Sequence, residues 1–312
     1  MPRLPRAWLI AVALAGCGGG DGDDSPAAER PTYGSGTHVV LLGTGTPNAE
    51  ADRWGPATAV VVDGKAYLVD AGAGVVRRMA AAGRRGVPGM HLPDIDIVFI
   101  THLHSDHTVG LPDLIFSPWV LGRKAALEVY GPPGMLAMVG HLEAAYAEDI
   151  RIRTEGLEPT NDTGHRAVAH EVQPGRIYQD ERVTVTAFPV RHASWPVALG
   201  YRFDTADRRI VISGDAAPGE TIVEQCDACD VLVHEVYSAT SFARRAPVWQ
   251  RYHASAHTST TELAEIARRA RPRLLVLTHQ LLWGTTPEEL VAEVRLAGWE
   301  GEVVFGVDLG VY

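Results

Sequence analysis

Apolar residues along this chain fall in short blocks punctuated by Gly, Pro and Asp. His38-Val39-Val40-Leu41-Leu42 reads as a strand, ended by the turn Gly43-Thr44-Gly45-Thr46-Pro47. Residues 57–62 and 66–70 read as the two arms of a hairpin, because Asp63-Gly64 suits the tight turn between them. Residues 74–85 carry a helical rhythm, 95–100 read as a strand, and 127–130 as a short strand stopped by Gly131-Pro132-Pro133-Gly134. Residues 135–146 read as a helix, whereas 147–180 show no clear period. Beyond them, 183–189, 199–203, 209–213, 231–235, 274–278 and 303–305 read as strands. Helices are expected at 260–270, capped by Ser259 or Thr260 with Glu262 early in it, and from Thr286, where Pro287 takes the first turn. Hairpins come first and helix-linked strands later, in both halves. The pattern predicts an α/β fold of sheets covered by helices.

The first residues do not fit that pattern. Arg3 and Arg6 precede a short apolar run, Ala7 to Ala15, too short to span a membrane. It ends in Leu14-Ala15-Gly16-Cys17, which resembles a bacterial lipoprotein processing site. The expected organisation is a signal peptide at 1–16, a Gly-, Asp- and Ser-rich tether at 17–32, and one domain at 33–312. On this reading the chain is exported and anchored to the cell envelope through a lipidated Cys17. Cys226 and Cys229 have no second pair to complete a metal site. They read first as small buried residues and second as a disulfide, which export would permit.

With 46% apolar and 21% charged residues, 312 residues can bury a sizeable core. The net charge of −10 gives no general attraction for a polyanion.

Chemistry concentrates in Thr101-His102-Leu103-His104-Ser105-Asp106-His107. Three of the 13 histidines fall here, directly after a buried strand. In extended backbone His102 and His104 share a side, and Asp106 and His107 follow as the chain turns. One loop can thus present imidazoles to one metal and a carboxylate plus an imidazole to another, a mixture suited to zinc. His192, Asp215 and His279 each lie at the end of an apolar strand, where open α/β sites gather their residues.

His-x-His-x-Asp-His, with the later ligands in this order, resembles the metallo-β-lactamase superfamily. Gly43 to Pro47, Asp70-Ala71-Gly72, Gly131-Pro132, Ser213-Gly214-Asp215, Val233-His234-Glu235 and His257-Thr258-Ser259-Thr260 are similar to landmarks of its ribonuclease Z and arylsulfatase-like branch. The resemblance covers nearly all of 38–309. It implies a four-layer αβ/βα sandwich with two divalent metal ions at one sheet edge, zinc first, with manganese or iron as other candidates. His102, His104 and His192 would hold the first ion. Asp106, His107 and His279 would hold the second, and Asp215 would bridge both, with a hydroxide between them as the attacking group. Asp106, His257 and Glu235 are the candidate catalytic residues, His257 as acid for the leaving group and Glu235 as its support. Asp70 would brace the loop or orient a ligand imidazole. His234 and His253 are not expected to bind metal. The Gly43 to Pro47 loop lacks the Lys-Ser/Thr of a phosphate-binding P-loop and is expected to let backbone pass close to the site.

The expected reaction is hydrolysis of a small or medium ester, either a phosphodiester or a sulfate ester. Only 22 residues separate His192 from Asp215, enough for a hairpin but not for the arm of transfer-RNA processing relatives. That spacing, the acidic charge and export make nucleic acid an unlikely partner. A ribonuclease Z-type endoribonuclease, a lactonase and a non-catalytic ligand-binding lipoprotein are the alternatives. A flavo-diiron oxidoreductase would often carry Glu where His104 stands. Oligomeric state is left open, a homodimer being one option. Trp119, Trp195, Trp283 and the 147–180 segment are candidate pocket walls, with core packing the other reading of the tryptophans.

Overall fold

The computed structural model describes residues 33–312. The expected signal peptide (1–16), tether (17–32) and lipidation site at Cys17 lie outside the described residues.

Two mixed sheets form the centre. The first runs in sequence order: β1 (Thr37–Gly43), β2 (Ala57–Val62), β3 (Lys65–Val69), β4 (Ile97–Phe99), β5 (Leu127–Gly131) and β6 (Ala167–Glu171). The second runs in reverse order, from β13 (Glu302–Phe305) through β12 (Leu274–Leu281), β11 (Val231–Tyr237), β10 (Arg209–Ile212), β9 (Ala198–Thr205) and β8 (Val183–Val190) to β7 (Gly175–Gln179). In each sheet the early strands pair antiparallel and the later ones parallel. The hairpin-then-crossover order expected from sequence is therefore present in both halves. Asp63 and Gly64 turn the first hairpin with φ of 45° and 79°, as a two-residue turn with positive φ at both positions requires.

Three apolar layers explain why the strands read as nearly continuous hydrophobic runs. In β1, Val40 and Leu42 face an outer core that includes helices α1 (Val75–Arg84), α3 (Leu111–Val120) and α4 (Met135–Ala145). Val39 and Leu41 face the opposite way, into a core shared by both sheets. The second sheet's other face, with Val211, Leu232, Leu275 and Leu277, packs on α6 (Glu220–Cys226), α9 (Thr260–Ala270) and α10 (Pro287–Leu296). Strand side chains alternate between faces, so a strand buried on both needs apolar residues at every position. The result is the four-layer sandwich. Its outer helices start where expected: Ser259 with Glu262, and Thr286 with Glu289, form complete capping boxes.

Three expectations change. Residues 147–180 build α5 (Ala147–Glu155) and the edge strands β6 and β7, and none of them lines the two cavities beside the ligand clusters described below. Trp119 is fully buried in the outer core, its indole N–H bonded to Asn161 O at 2.7 Å, so it packs rather than lines a site. Cys226 and Cys229 are buried, as the first reading held, but are also joined as a disulfide between α6 and β11. Among the described residues no helix is long and apolar enough to cross a membrane.

Candidate metal centre

The parallel strands of both sheets deliver their C-terminal ends to one rim. Asp70 follows β3 there with φ of 63°, an unusual conformation for a non-glycine residue. Its Oδ1 accepts from Thr101 N at 2.8 Å, and Thr101 Oγ1 donates to the carboxylate within 3.0 Å. Its Oδ2 accepts from His107 Nδ1 at 2.7 Å. Asp70 thus braces the loop and orients an imidazole at once. After β4 the loop passes His102 and His104 before α2 (Ser105–Thr108) begins and carries Asp106 and His107.

The second sheet supplies the remaining residues. His192 follows β8. Asp215 follows β10 directly after Gly214, whose φ is 60° and where a Cβ would come within 2.9 Å of the Thr101 side chain. His279 is the extra residue of a bulge in β12: Glu235 pairs with Thr278 and Val236 with Gln280. With φ of 42°, the bulge turns His279 toward the rim.

Hydrogen bonds assign the tautomers in the first cluster. His102 Nδ1–H donates to Thr101 Oγ1 at 3.0 Å, and His192 Nδ1–H donates to Ala256 O at 2.8 Å. Both rings therefore turn an Nε2 lone pair inward, to 2.9 Å and 3.1 Å from His104 Nδ1. Trp195 Nε1–H donates to His104 Nε2 at 2.8 Å, which places the His104 proton on Nδ1, between the other two nitrogens. Asp215 Oδ2 lies 4.0 Å from His102 Nε2 and 3.9 Å from His192 Nε2. Burial holds all three imidazoles below their usual range, so they are neutral donors.

The second cluster pairs imidazoles with carboxylates. Asp106 Oδ2 lies 3.4 Å from His107 Nε2 and 3.3 Å from His279 Nε2. Asp215 lies 3.4 Å from each of the same nitrogens. Burial alone would lower His107 and His279. Asp215 outweighs it, joined by Asp70 at His107 and by Asp106 at His279, and both pKa values rise. Burial likewise opposes the ionisation of Asp215, but His279 and His107 hold it well below the carboxylate range.

All seven expected ligands thus meet in two clusters joined through Asp215: His102, His104, His192 and Asp215, and Asp106, His107 and His279, with ligand atoms within 4.8 Å of one another in each. The donor set fits divalent ions. His107 Nε2 and Asp215 Oδ1 are buried with no hydrogen-bond partner, the cost of which a cation would remove. Asp215, His257 and His279 form a further overlapping group with the same reach.

His257 Nδ1 stands 3.4 Å from Glu235 Oε2 and 3.9 Å from Asp215 Oδ2. Glu235 Oε1 accepts from Thr258 N at 2.8 Å, while Oε2 and His257 Nδ1 are both buried without a hydrogen-bond partner. Burial, then Asp215, pushes Glu235 well up. Burial pushes His257 down to about 4. The proton of this pair therefore rests on the carboxyl. His234, bonded to Glu235 O at 2.6 Å, and His253, packed on Trp283 at 4.6 Å, belong to none of the metal-capable groups.

Two cavities flank the clusters. One of about 420 Å³ reaches Asp106 and is lined by Asn48, Glu50, Arg53, Trp54 and Val109 among others. The other, about 350 Å³, reaches His104 and is lined by Ala193, Ser194, Trp195, Pro196 and Tyr252. Trp195 therefore walls a cavity, while Trp283 packs beside His253 and Tyr237. At the start of the glycine-rich loop, a Cβ on Gly43 would lie 2.0 Å from Gly55 O, so glycine there lets two backbone segments meet. The loop's supports escaped the sequence reading. Asp308 accepts from Thr44 N and Trp54 N, each at 2.9 Å, and Arg53 donates to Gln280 Oε1 at 2.6 Å. Tyr252 was also missed. Its spacing from Trp249, one helical turn back, was the available signal.

A family model described as the beta-lactamase superfamily domain matches residues 43–280. A ribonuclease Z of Mycobacterium sp. (strain KMS) is 36% identical over 245 residues, 78% of this chain and 84% of that protein. Among solved structures, the metallo-beta-lactamase fold protein YhfI from Bacillus subtilis aligns with a TM-score of 0.69 at 18% identity, covering 88% of this chain and 98% of that one. The short form of human tRNase Z aligns with a TM-score of 0.66 at 23% identity and the same coverage. The chain belongs to the metallo-β-lactamase superfamily, is a metallo-hydrolase of that superfamily, and has ribonuclease Z proteins as homologues.

Proposed function

We propose that this member of the metallo-β-lactamase superfamily is an exported hydrolase of small or medium phosphodiesters that uses two divalent ions, zinc first. The observation that carries the reading is the sharing of Asp215 between two ligand sets, His102, His104 and His192 on one side and Asp106, His107 and His279 on the other. His102, His104 and His192 hold one ion, Asp106, His107 and His279 the other. Bound there, the ions would acidify a water between them and offset charge on the ester oxygens. Asp70 keeps His107 in the tautomer that offers Nε2. Asp106 shapes the second ion's side and faces the Arg53 cavity.

His257 attends to the leaving group. Its Nδ1 faces the protonated Glu235, so Nε2 is the nitrogen left to donate a proton to the departing oxygen. As the Nε2 proton leaves, the Glu235 carboxyl passes its own proton to Nδ1, so the ring stays neutral and Glu235 ends as a carboxylate. The ribonuclease Z homologues favour phosphodiester over sulfate ester chemistry. Asp215, where dizinc β-lactamases commonly carry Cys, argues against a β-lactam.

A ribonuclease Z-type activity is the second reading, favoured by the same homologues. Against it stand the net charge of −10 and the connection between β9 and β10, which spans only residues 206–208. Export rests on Leu14-Ala15-Gly16-Cys17, and the Cys226–Cys229 disulfide suits an oxidising compartment. The test is a screen of metal-loaded protein from Tyr33 onward against bis(4-nitrophenyl) phosphate, an aryl sulfate, a lactone, a β-lactam and a precursor transfer RNA. Metal-dependent turnover of the phosphodiester is expected. Turnover of the RNA alone would install the second reading, and turnover of none would remove the enzyme assignment. Acyl groups on Cys17, seen by mass spectrometry, test the anchor.

A further inference from the structure

The two cavities beside the metal centre differ in chemistry. The one at Asp106 contains Glu50, Arg53 and Asn48. The one at His104 is walled by Trp195, Pro196 and Tyr252, with Ala193 and Ser194 at its edge, and no Lys, Arg, Asp or Glu lines it. An ester straddling the ions would therefore place unlike halves on the two sides.

The aromatic side is a built slot. Loop 193–196 and helix α8 (Pro247–Ala256) are its two walls. They are tied by Ala193 N donating to Ser255 O at 3.0 Å and by His192 Nδ1 donating to Ala256 O at 2.8 Å. The same residues that fix a proposed metal ligand thus fix the slot. Ala193 reaches this arrangement with φ of 44°, a strained value for a residue with a side chain. Trp195 N also bonds back to His192 O at 3.0 Å, closing the turn that presents the indole. Tyr252 is more than a third exposed, although a large aromatic side chain gains by burial. Its ring lies 6.1 Å from that of His257, so the slot and the proposed acid share one side of the centre.

From this geometry we propose that the Trp195–Tyr252 slot binds the leaving half of the ester and selects a planar aromatic ring attached to the departing oxygen. The proposal rests on the ester-hydrolase reading and deepens it. The cavity, about 350 Å³, has the volume for an aromatic ring, and its lining offers apolar contact without a charged partner. The ionic phosphoryl group stays at the metal centre, and the polar half extends toward Arg53.

The test measures binding apart from turnover. Zinc-loaded protein is titrated with phenylphosphonate and with methylphosphonate by calorimetry. Phenylphosphonate is expected to bind about tenfold more tightly, in keeping with the extra affinity of aromatic contacts. In Tyr252→Leu the preference should fall below about threefold, with methylphosphonate affinity unchanged, and Tyr252→Phe should retain it. Tyr252 lies on an exposed helix face, so these variants keep the fold even if Trp195→Leu does not. Equal affinity for the two phosphonates, failure to detect either, or a preference that survives Tyr252→Leu overturns the slot. Ring preference in binding without turnover of any ester would remove the hydrolase reading and leave the slot. Turnover of phosphodiesters without ring preference would do the reverse.

Discussion

Trp195 Nε1 lies 2.8 Å from His104 Nε2 and donates to it. This contact fixes the proton of His104 on Nδ1, where it is shared between the lone pairs of His102 and His192. An ion held at Nδ1 would require the His104 ring proton on Nε2, facing the indole N–H. Titrating metal-free protein with zinc should therefore shift Trp195 fluorescence at the first equivalent, by comparison with Trp195→Phe. That variant should bind the first ion several-fold more tightly, because no indole bond opposes the change. Unchanged affinity would mean that the indole bond has no part in loading.

The two ions should differ in proton release. The imidazoles of the first cluster lie below their usual pKa range and are already neutral. His107 and His279 lie above it and must lose protons to bind. Raising the pH therefore strengthens the second ion more than the first, and lowering it releases the second ion first. Calorimetry in buffers of different ionisation enthalpy should find near-zero proton release for the first ion and one to about two for the second. Equal release would contradict the charge assignment.

Asp70→Ala should weaken the second site without touching a proposed ligand. The substitution frees Thr101 N, Thr101 Oγ1 and His107 Nδ1 together. Loss of such support commonly lowers metal affinity by about 10–100-fold. Leaving buried donors unpaired should also destabilise the fold by about 2–4 kcal/mol. Metal content after dialysis reads the first effect and thermal unfolding of the metal-free protein the second. A full second site would show that the loop holds itself.

Asp180 links the two sheets. It accepts from Tyr67 OH of β3 at 2.5 Å, from Tyr178 OH at 3.0 Å, and from the backbone of Arg182 and Val183. Burial opposes its ionisation, but these bonds outweigh it and lower its pKa. A depressed folded pKa gives stability that is present above the unfolded value, near 4, and lost as pH falls through the folded one. Asp180→Asn should therefore destabilise the protein by about 1–2 kcal/mol at pH 7, and the gap should close on acidification. A constant gap across pH would trace the effect to packing instead.

The parts legible in the sequence are those carried by local order. His102 to His107 announce themselves because four ligands share one turn. His192, Asp215 and His279 are readable because strand ends meet at a rim whichever strands pair. The capping boxes at Ser259 and Thr286 are visible for the same reason. Partners distant in sequence are not. Nothing near Asp308 reveals that Thr44 and Trp54 need its carboxylate, and nothing near Gln280 reveals Arg53. The 147–180 segment defied reading because β6 and β7 are edge strands with half-exposed faces, so no apolar alternation marks them. Trp119 and Trp195 look alike in sequence. Only the layer each one meets separates a core residue from a cavity wall.

His257→Ala should separate acid chemistry from metal binding. His257 Nδ1 faces Glu235 and Asp215, and His257 also falls in a group able to hold metal with Asp215 and His279. If it serves the leaving group, the variant keeps two ions per chain. Its kcat should fall by about 10²–10⁴-fold on an ester with a poor leaving group such as an alkoxide. With 4-nitrophenolate, which departs without a proton, the loss should be under about tenfold. Glu235→Gln keeps the hydrogen-bonding shape but cannot pass a proton to Nδ1, so it should show the same dependence on the leaving group. Loss of one ion, with equal rate losses on both esters, would make His257 a ligand and leave the departing oxygen without a protein acid.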